Sequence, residues 1–288
     1  MVTAGPEHAR NAACPPCLRS PPMSHAVALS VPSVAVSPIS AAAPPPRRLY
    51  FGPIPITETG CFPPAPAPHC WVYVTLNAEI ALSLPRSPAL QALAQSPRAR
   101  VSVDGQWLWW ALRRKYAGDA PAKLSGSDLI HELAAHGARQ GERLLLLGST
   151  PVLNAGAVRL LRQRCPGLAV AGFAPQHRLA DATGLAALER EALAAIDAHR
   201  ADYVVLGLGA AKEHALAERL APQLDGRVRG LLCFGGAIDM ASGQVRRAPR
   251  LWQRLGLEGL YRVWQQPARV GRLVRVLRVL PMLVRGDY

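Results

Sequence analysis

A chain of 288 residues, half of them hydrophobic, is long enough to bury the core of one large α/β domain and carry an appendage. Its 33 Lys and Arg against 19 Asp and Glu leave a formal charge of +14, which points to an anionic partner: nucleic acid, phospholipid head groups or a phosphorylated substrate. No stretch reaches the ~20 uninterrupted apolar residues that a bilayer-spanning helix needs.

Residues 1–47 are rich in Pro, Ala and Ser and show no sustained period of 2 or 3.6, so they are expected to be disordered. Cys14-Pro-Pro-Cys17 has the spacing of a redox or half-zinc motif, but nothing supplies a second such pair. The apolar run 26–43 is interrupted by Pro32 and Pro38 and lacks a basic stretch upstream, so the chain is expected to stay inside the cell.

From Leu49 the texture changes. Residues 49–51 read as a short strand, and a Pro-rich patch at 63–68 interrupts the start of the folded region. The β-branched and aromatic run 71–76 predicts a strand that stops at Asn77, and 100–103 predicts another ending at Asp104-Gly105. Strands are then expected at 144–147, 168–173, 203–208 and 230–234, alternating with helices at 152–164, 184–199 and 212–220. Continuous apolar strands between amphipathic helices predict an α/β fold, a Rossmann-like and mostly parallel sheet with helices on both faces, over residues 48–243.

Ligands of such sheets bind beyond the carboxyl ends of the strands. The residues there are Thr75, Asn77, Asp104, Gly148, Gly207, Gly209, Gly235 and Gly236. Asp104 is a carboxylate at a strand end, placed where a base could take a proton from an incoming hydroxyl; Asp-Gly is equally a turn signal. Gly207-Leu-Gly209 follows a strand and precedes a helix as a phosphate-binding turn would, but Lys212 stands where a dinucleotide fingerprint needs its third glycine. Lys123-Leu-Ser-Gly-Ser127-Asp128 reads as a loop running into a helix capped at Ser127 or Asp128. His131, His136, His177, His199 and His214 lack metal-ligand spacing, and no metal or other cofactor is expected. Cys165 and Cys233 sit beside apolar stretches and read as small core residues.

Past Asp239 the chain is basic. Residues 244–288 carry ten arginines between Arg246 and Arg285 against Glu258 alone until Asp287, with Val270, Leu273, Val274, Leu277 and Leu280 on one helix face. The pattern fits a basic amphipathic appendage at an anionic membrane surface, or a C-terminal helix packed on the sheet.

The order Val-Thr75-Leu-Asn77, Val-Asp104-Gly105, Ser-Gly-Ser127-Asp128, Leu-Gly148, Gly207-Leu-Gly209, Gly235-Gly-Ala-Ile-Asp239 and Arg247-Ala-Pro resembles the WecG/TagA/CpsF glycosyltransferases (glycosyltransferase family 26). Gly256-Leu-Glu258 and Tyr-Arg262 with Pro267-Ala-Arg269 are similar to that family's closing block. The resemblance runs from about Leu49 to Leu280. It implies a metal-independent, inverting enzyme that moves N-acetylmannosamine, its uronic acid or glucose from a UDP-sugar to an undecaprenyl-diphosphate-linked saccharide in cell-surface polysaccharide synthesis. Such an enzyme would work peripherally on the inner face of the plasma membrane.

By the same resemblance Asp104 is the base, Thr75 and Asn77 are active-site residues, and Arg262, Arg269 and Arg272 of the appendage reach the diphosphate. Lys123, Ser127, Asp128, Gly207, Gly209, Glu213 and Asp239 complete the implied substrate site. The sequence departs from the family where Glu213 replaces a Gln, Lys123 an Arg and Gly259 a Trp; the helix after the first strand is expected to be replaced by the Pro-rich patch. Glu213 is read as an acid that would repel a diphosphate. A membrane-surface scaffold that keeps the fold but has weakened catalysis is the competing expectation. Nucleic-acid binding has no recognition-helix, zinc-finger or RNA-binding signature behind it.

Overall fold

The computed structural model describes residues 49–57, 62–117, 120–175, 182–267 and 270–286, with backbone alone at 182, 183, 272, 275, 280, 282 and 284. The segment 1–47, Cys14, Cys17, His177 and Arg269 lie outside them. The described residues all fall in one unit, residues 46–288.

Six parallel strands form the sheet: β3 (Trp71–Leu76), β4 (Ala99–Val103), β5 (Arg143–Gly148), β6 (Ala169–Phe173), β7 (Tyr203–Gly207) and β8 (Gly230–Cys233), in the order β4-β3-β8-β7-β5-β6. Each expected strand is present within a residue or two. The continuous apolar runs are explained by the two faces. Val72, Val74, Leu145, Leu147, Val204 and Leu206 pack into one core cluster, while Trp71, Tyr73, Leu144, Leu146, Tyr203 and Val205 pack into the other. Each such buried side chain contributes about 1.5–3 kcal/mol relative to exposure.

Helices cover both faces. α1 (Ala78–Ser83), α2 (Pro88–Gln95), α3 (Gln106–Tyr116), α6 (Ala182–His199) and α7 (Ala210–Leu220) supply the first cluster; α4 (Gly126–Gln140), α5 (Pro151–Arg164) and α8 (Ala237–Ala241) supply the second. Among the described residues between 57 and 71 no helix is present, as expected where the Pro-rich patch follows the strand at 49–51; α1, which the sequence did not announce, follows β3 directly, capped by Asn77, whose Oδ1 accepts the Ile80 N–H at 3.0 Å. The patch instead brings Phe62 edge-on to Tyr73, with ring centroids 5.2 Å apart, where it packs on the second cluster. Likewise α4 starts earlier than expected, with Ser125 rather than Ser127 or Asp128 at its N-cap.

Ahead of the sheet, β1 (Leu49–Phe51) and β2 (Ile54–Ile56) form an antiparallel hairpin with Leu49, Phe51, Ile54 and Ile56 buried. Thr57 continues it alongside β4: its N–H donates to the Val101 carbonyl at 3.0 Å, and its Oγ1 accepts the Val101 N–H at 2.7 Å. Both backbone groups of Val101 on the edge strand are thereby satisfied.

The C-terminal segment folds as α9 (Arg250–Arg254), α10 (Glu258–Gln265), α11 (Val270–Leu277) and α12 (Leu280–Arg285). The face expected on one helix is thus split between two. Pro281, in the first turn of α12, has no N–H to extend α11. α11 packs against α1 and α12 against α3, with Val279 and Leu283 buried.

Candidate active site

Strand ends at the carboxyl edge of the sheet open into a cleft of about 1010 Å³, roofed by α10 and α11. Of the residues expected from sequence, Thr75, Asn77, Asp104, Lys123, Ser127, Gly207, Gly209, Glu213, Asp239 and Arg262 line it. Asp128 does not, and the positions of Arg269 and of the Arg272 side chain lie outside what is described.

Asp104 follows β4 directly. Its N–H donates to the Leu76 carbonyl at 2.7 Å, and its Oδ1 accepts the N–H of Gly105 at 2.7 Å. Gly105 has φ +82, a conformation that side-chain-bearing residues rarely adopt, and it starts α3. Burial pushes the Asp104 carboxyl up to about 6, the nearby charge of Glu258 adds to the rise, and the Gly105 N–H, the Ser125 hydroxyl and Arg247 partly offset it.

Beneath it, Thr75 is buried and its hydroxyl donates to the Cys233 carbonyl at 3.4 Å. Asn77 spends its carbonyl oxygen on the α1 cap, which leaves the amide end as the group it can offer to a ligand. Lys123 lies beside the end of β4 and donates from Nζ to Gln106 Oε1 at 2.9 Å.

The turn after β7 holds a surprise of chemistry. Glu213 is buried, and its Oε1 accepts the N–H groups of Leu208 and Gly209 at 2.9 and 2.7 Å, while Oε2 accepts that of Gly235 at 3.1 Å. The expectation that this acid merely repels a diphosphate gives way to a different account: it occupies amide donors that a phosphate would otherwise use at this turn. On the neighbouring turn, Ser149 adopts φ +63 and donates to Asp239 Oδ1 at 2.5 Å.

Positive charge enters from the C-terminal segment. The Arg262 guanidinium lies over Gly236, where a Cβ would stand 3.2 Å from both terminal nitrogens, so the glycine makes room for it. Arg247 lines the cleft and pairs with Asp128, which places Asp128 as an anchor for that arginine rather than a wall of the cleft. Within the segment, Gln265 exchanges hydrogen bonds with the backbone of Arg246 at 2.9 and 2.8 Å, and the segment docks on α3 where Trp107 Nε1 donates to the Gly256 carbonyl at 2.8 Å.

Residues not singled out as site candidates from sequence are Arg247, Glu258, Ser125, Trp107 and Ser149. Arg247 and Glu258 stood inside motifs, Arg-Ala-Pro and Gly-Leu-Glu, but nothing local says that they face a residue more than 140 positions earlier. Among the described residues no group of three or more His, Cys, Asp or Glu is arranged to hold a metal ion.

Residues 65–286 match the model of the glycosyl transferase WecG/TagA/CpsF family.

Proposed function

The chain belongs to the WecG/TagA/CpsF glycosyltransferase family, and on that premise we propose that it transfers a hexosyl residue, of the N-acetylmannosamine, N-acetylmannosaminuronic acid or glucose type, from a UDP-sugar to a polyprenyl-diphosphate-linked saccharide, with inversion. The observation that carries the reading is Asp104: a carboxylate in a large cleft at the strand ends, raised to about 6 by burial. A base whose proton affinity lies near the working pH is effective at proton transfer.

In the reaction, the acceptor hydroxyl oxygen bonds to C1 of the donor sugar from the face opposite the leaving group. Asp104 takes the hydroxyl proton, and the C1–O bond to UDP breaks with its electron pair departing on the diphosphate. That developing charge calls for fixed cations and hydrogen-bond donors in a cleft that limits water. Arg262 and Arg247 fill this role in the reading, joined by Lys123, Arg269 and Arg272, with Thr75, Asn77, Ser127 and Asp239 toward the sugars. That Glu213 occupies the Leu208 and Gly209 amides supports a diphosphate bound on the arginine side of the cleft.

A polyprenyl acceptor stays in its bilayer, so the enzyme comes to it. No helix among the described residues is long and apolar enough to cross a membrane. The proposed appendage, residues 244–288 on a catalytic core of 48–243, exposes Leu251, Trp252, Leu255, Leu260, Trp264 and Val270, with Arg250, Arg254 and Arg278 exposed among them. Tryptophan favours the head-group region, and each basic residue near an anionic leaflet adds about 1 kcal/mol. That supports peripheral attachment at the inner face of the plasma membrane.

The test is UDP release by purified protein with a panel of UDP-hexoses and a short-chain prenyl-diphosphate saccharide, beside Asp104→Asn. Acceptor-dependent release that the variant loses is the expected result. Silence from folded protein across the panel would overturn it and favour a membrane-surface protein without transferase activity.

A further inference from the structure

The C-terminal segment reaches the base by a defined route. Trp107 stands three residues after Asp104, at the start of α3, and its Nε1–H donates to the carbonyl of Gly256 at 2.8 Å. Gly256 has φ +72, and a Cβ there would lie 2.8 Å from that same Nε1, so the approach requires glycine. Two residues on, Glu258 opens α10 and lines the same cleft as Asp104, near enough for the two charges to act on each other. Gly259 next to it allows α11 a close approach, since a Cβ there would stand 3.2 Å from the Leu273 methyl. α10 is thus fixed on one side by Trp107 and on the other by α11.

We propose that Glu258 is a positioning residue for Asp104: the Trp107–Gly256 contact holds α10 so that a second carboxylate stands in the cleft of the base, and docking of α10 sets the charge that the base faces. The proposal rests on the reading of Asp104 as the base. The negative charge of a second carboxylate in the same partly dry cleft disfavours ionisation of Asp104. The other groups acting on Asp104 are the Ser125 hydroxyl ahead of α4, the Gly105 N–H ahead of α3 and the Arg247 guanidinium ahead of α9; each favours the ionised form. Of the neighbours, Glu258 alone is a charge that opposes ionisation. A tail that docks through α10 therefore changes the chemistry of the base as well as adding arginines to the cleft.

The experiment reads the carboxyl directly. Full-length protein carrying 13C-labelled aspartate is titrated by NMR, with the Asp104 resonance assigned by its loss in Asp104→Asn. In Glu258→Gln, an isosteric change at a half-buried site, the midpoint is expected to fall by roughly half to one pH unit. Trp107→Phe, which removes the donor to Gly256 along with part of the ring that packs on Trp110, is expected to move it the same way, and the double variant no further than the larger single shift. The acid limb of kcat/KM should follow the midpoint in each variant. An unchanged midpoint in Glu258→Gln, with a native melting curve, would overturn the proposal. A midpoint that moves while the acid limb stays would instead remove Asp104 from its role as base and leave the Glu258 coupling standing.

Discussion

Glu213 and Gly235 are joined across the carboxyl edge of the sheet by a hydrogen bond of 3.1 Å from the Gly235 N–H to Glu213 Oε2. Because Oε1 of the same carboxylate takes the Leu208 and Gly209 N–H groups, one side chain ties the turn after β7 to the turn after β8. Gln in place of Glu would keep one oxygen but turn an NH2 toward the Gly235 N–H, donor against donor. Glu213→Gln is expected to lower stability by about 1–2 kcal/mol and Glu213→Ala by about 3 kcal/mol, as read by chemical denaturation. A Gln variant as stable as the parent would mean that the clamp contributes nothing.

Asp104 has opposite consequences for rate and stability. Its carboxyl must be ionised to accept a proton, so kcat/KM should fall as the pH drops through about 6. Its folded value lies above the 3.8 of an ordinary aspartate, so the native state holds this proton more tightly than the unfolded chain. Asp104 therefore detracts from stability above about 6, and that loss is relieved as the pH falls toward 4. Asp104→Asn should abolish transfer while raising stability at pH 7.5 by about 1–2 kcal/mol. A melting temperature that falls instead would contradict the burial argument.

His214 runs the other way. It is fully buried in α7, neither ring nitrogen has a hydrogen-bond partner among the described residues, and burial pulls it down to about 4. Its folded value is depressed below 6.5, so the stability of the neutral form is present above that pH and is lost as the pH falls toward 4. Between pH 6.5 and 4 the two residues nearly cancel in the parent protein. His214→Leu should be neutral or stabilising at pH 7.5 and should remove about 1–2 kcal/mol of the acid loss, visible as a flatter or rising melting temperature toward pH 5.

Gly236 has φ −79, so an alanine there is not strained by its backbone; what it meets is the Arg262 guanidinium. Gly236→Ala should leave the melting temperature within about 0.5 kcal/mol of the parent's stability, yet reduce kcat/KM about tenfold by displacing that cation. Arg262→Lys, which loses the planar two-pronged geometry, should act in the same direction. Full activity in both would remove Arg262 from the leaving-group site.

The exposed tryptophans of α9 and α10 provide the membrane test. Trp252→Ala with Trp264→Ala should reduce retention on anionic vesicles several-fold in moderate salt, with little change in UDP release from a short-chain, water-soluble acceptor. Equal losses in both assays would place these side chains in the catalytic cleft instead.

Much of the architecture was legible in the chain because it is encoded locally. Runs such as Trp71-Val-Tyr-Val-Thr-Leu and Leu144-Leu-Leu-Leu combine β-forming side chains with apolarity on both faces, which only a sheet covered on both sides can bury. Since ligands of parallel sheets gather beyond the carboxyl ends, placing the strands also placed Thr75, Asn77 and Asp104 at the cleft, and the family motifs named the chemistry. The short α1 was missed: six residues closed by a Ser-Leu-Pro sequence hold too few periods to stand out.

What only the tertiary structure decided is pairing over distance. Glu213 looks from sequence like a misplaced acid, yet the fold gives it three backbone donors from two different turns. Asp128 looks like a cap or a ligand, and the fold gives it to Arg247. The physical reason is common to both. Hydrophobic period and turn chemistry are written within a few residues, whereas the partner of a buried charge is set by which elements the core brings together, here across gaps of up to 154 residues between Asp104 and Glu258.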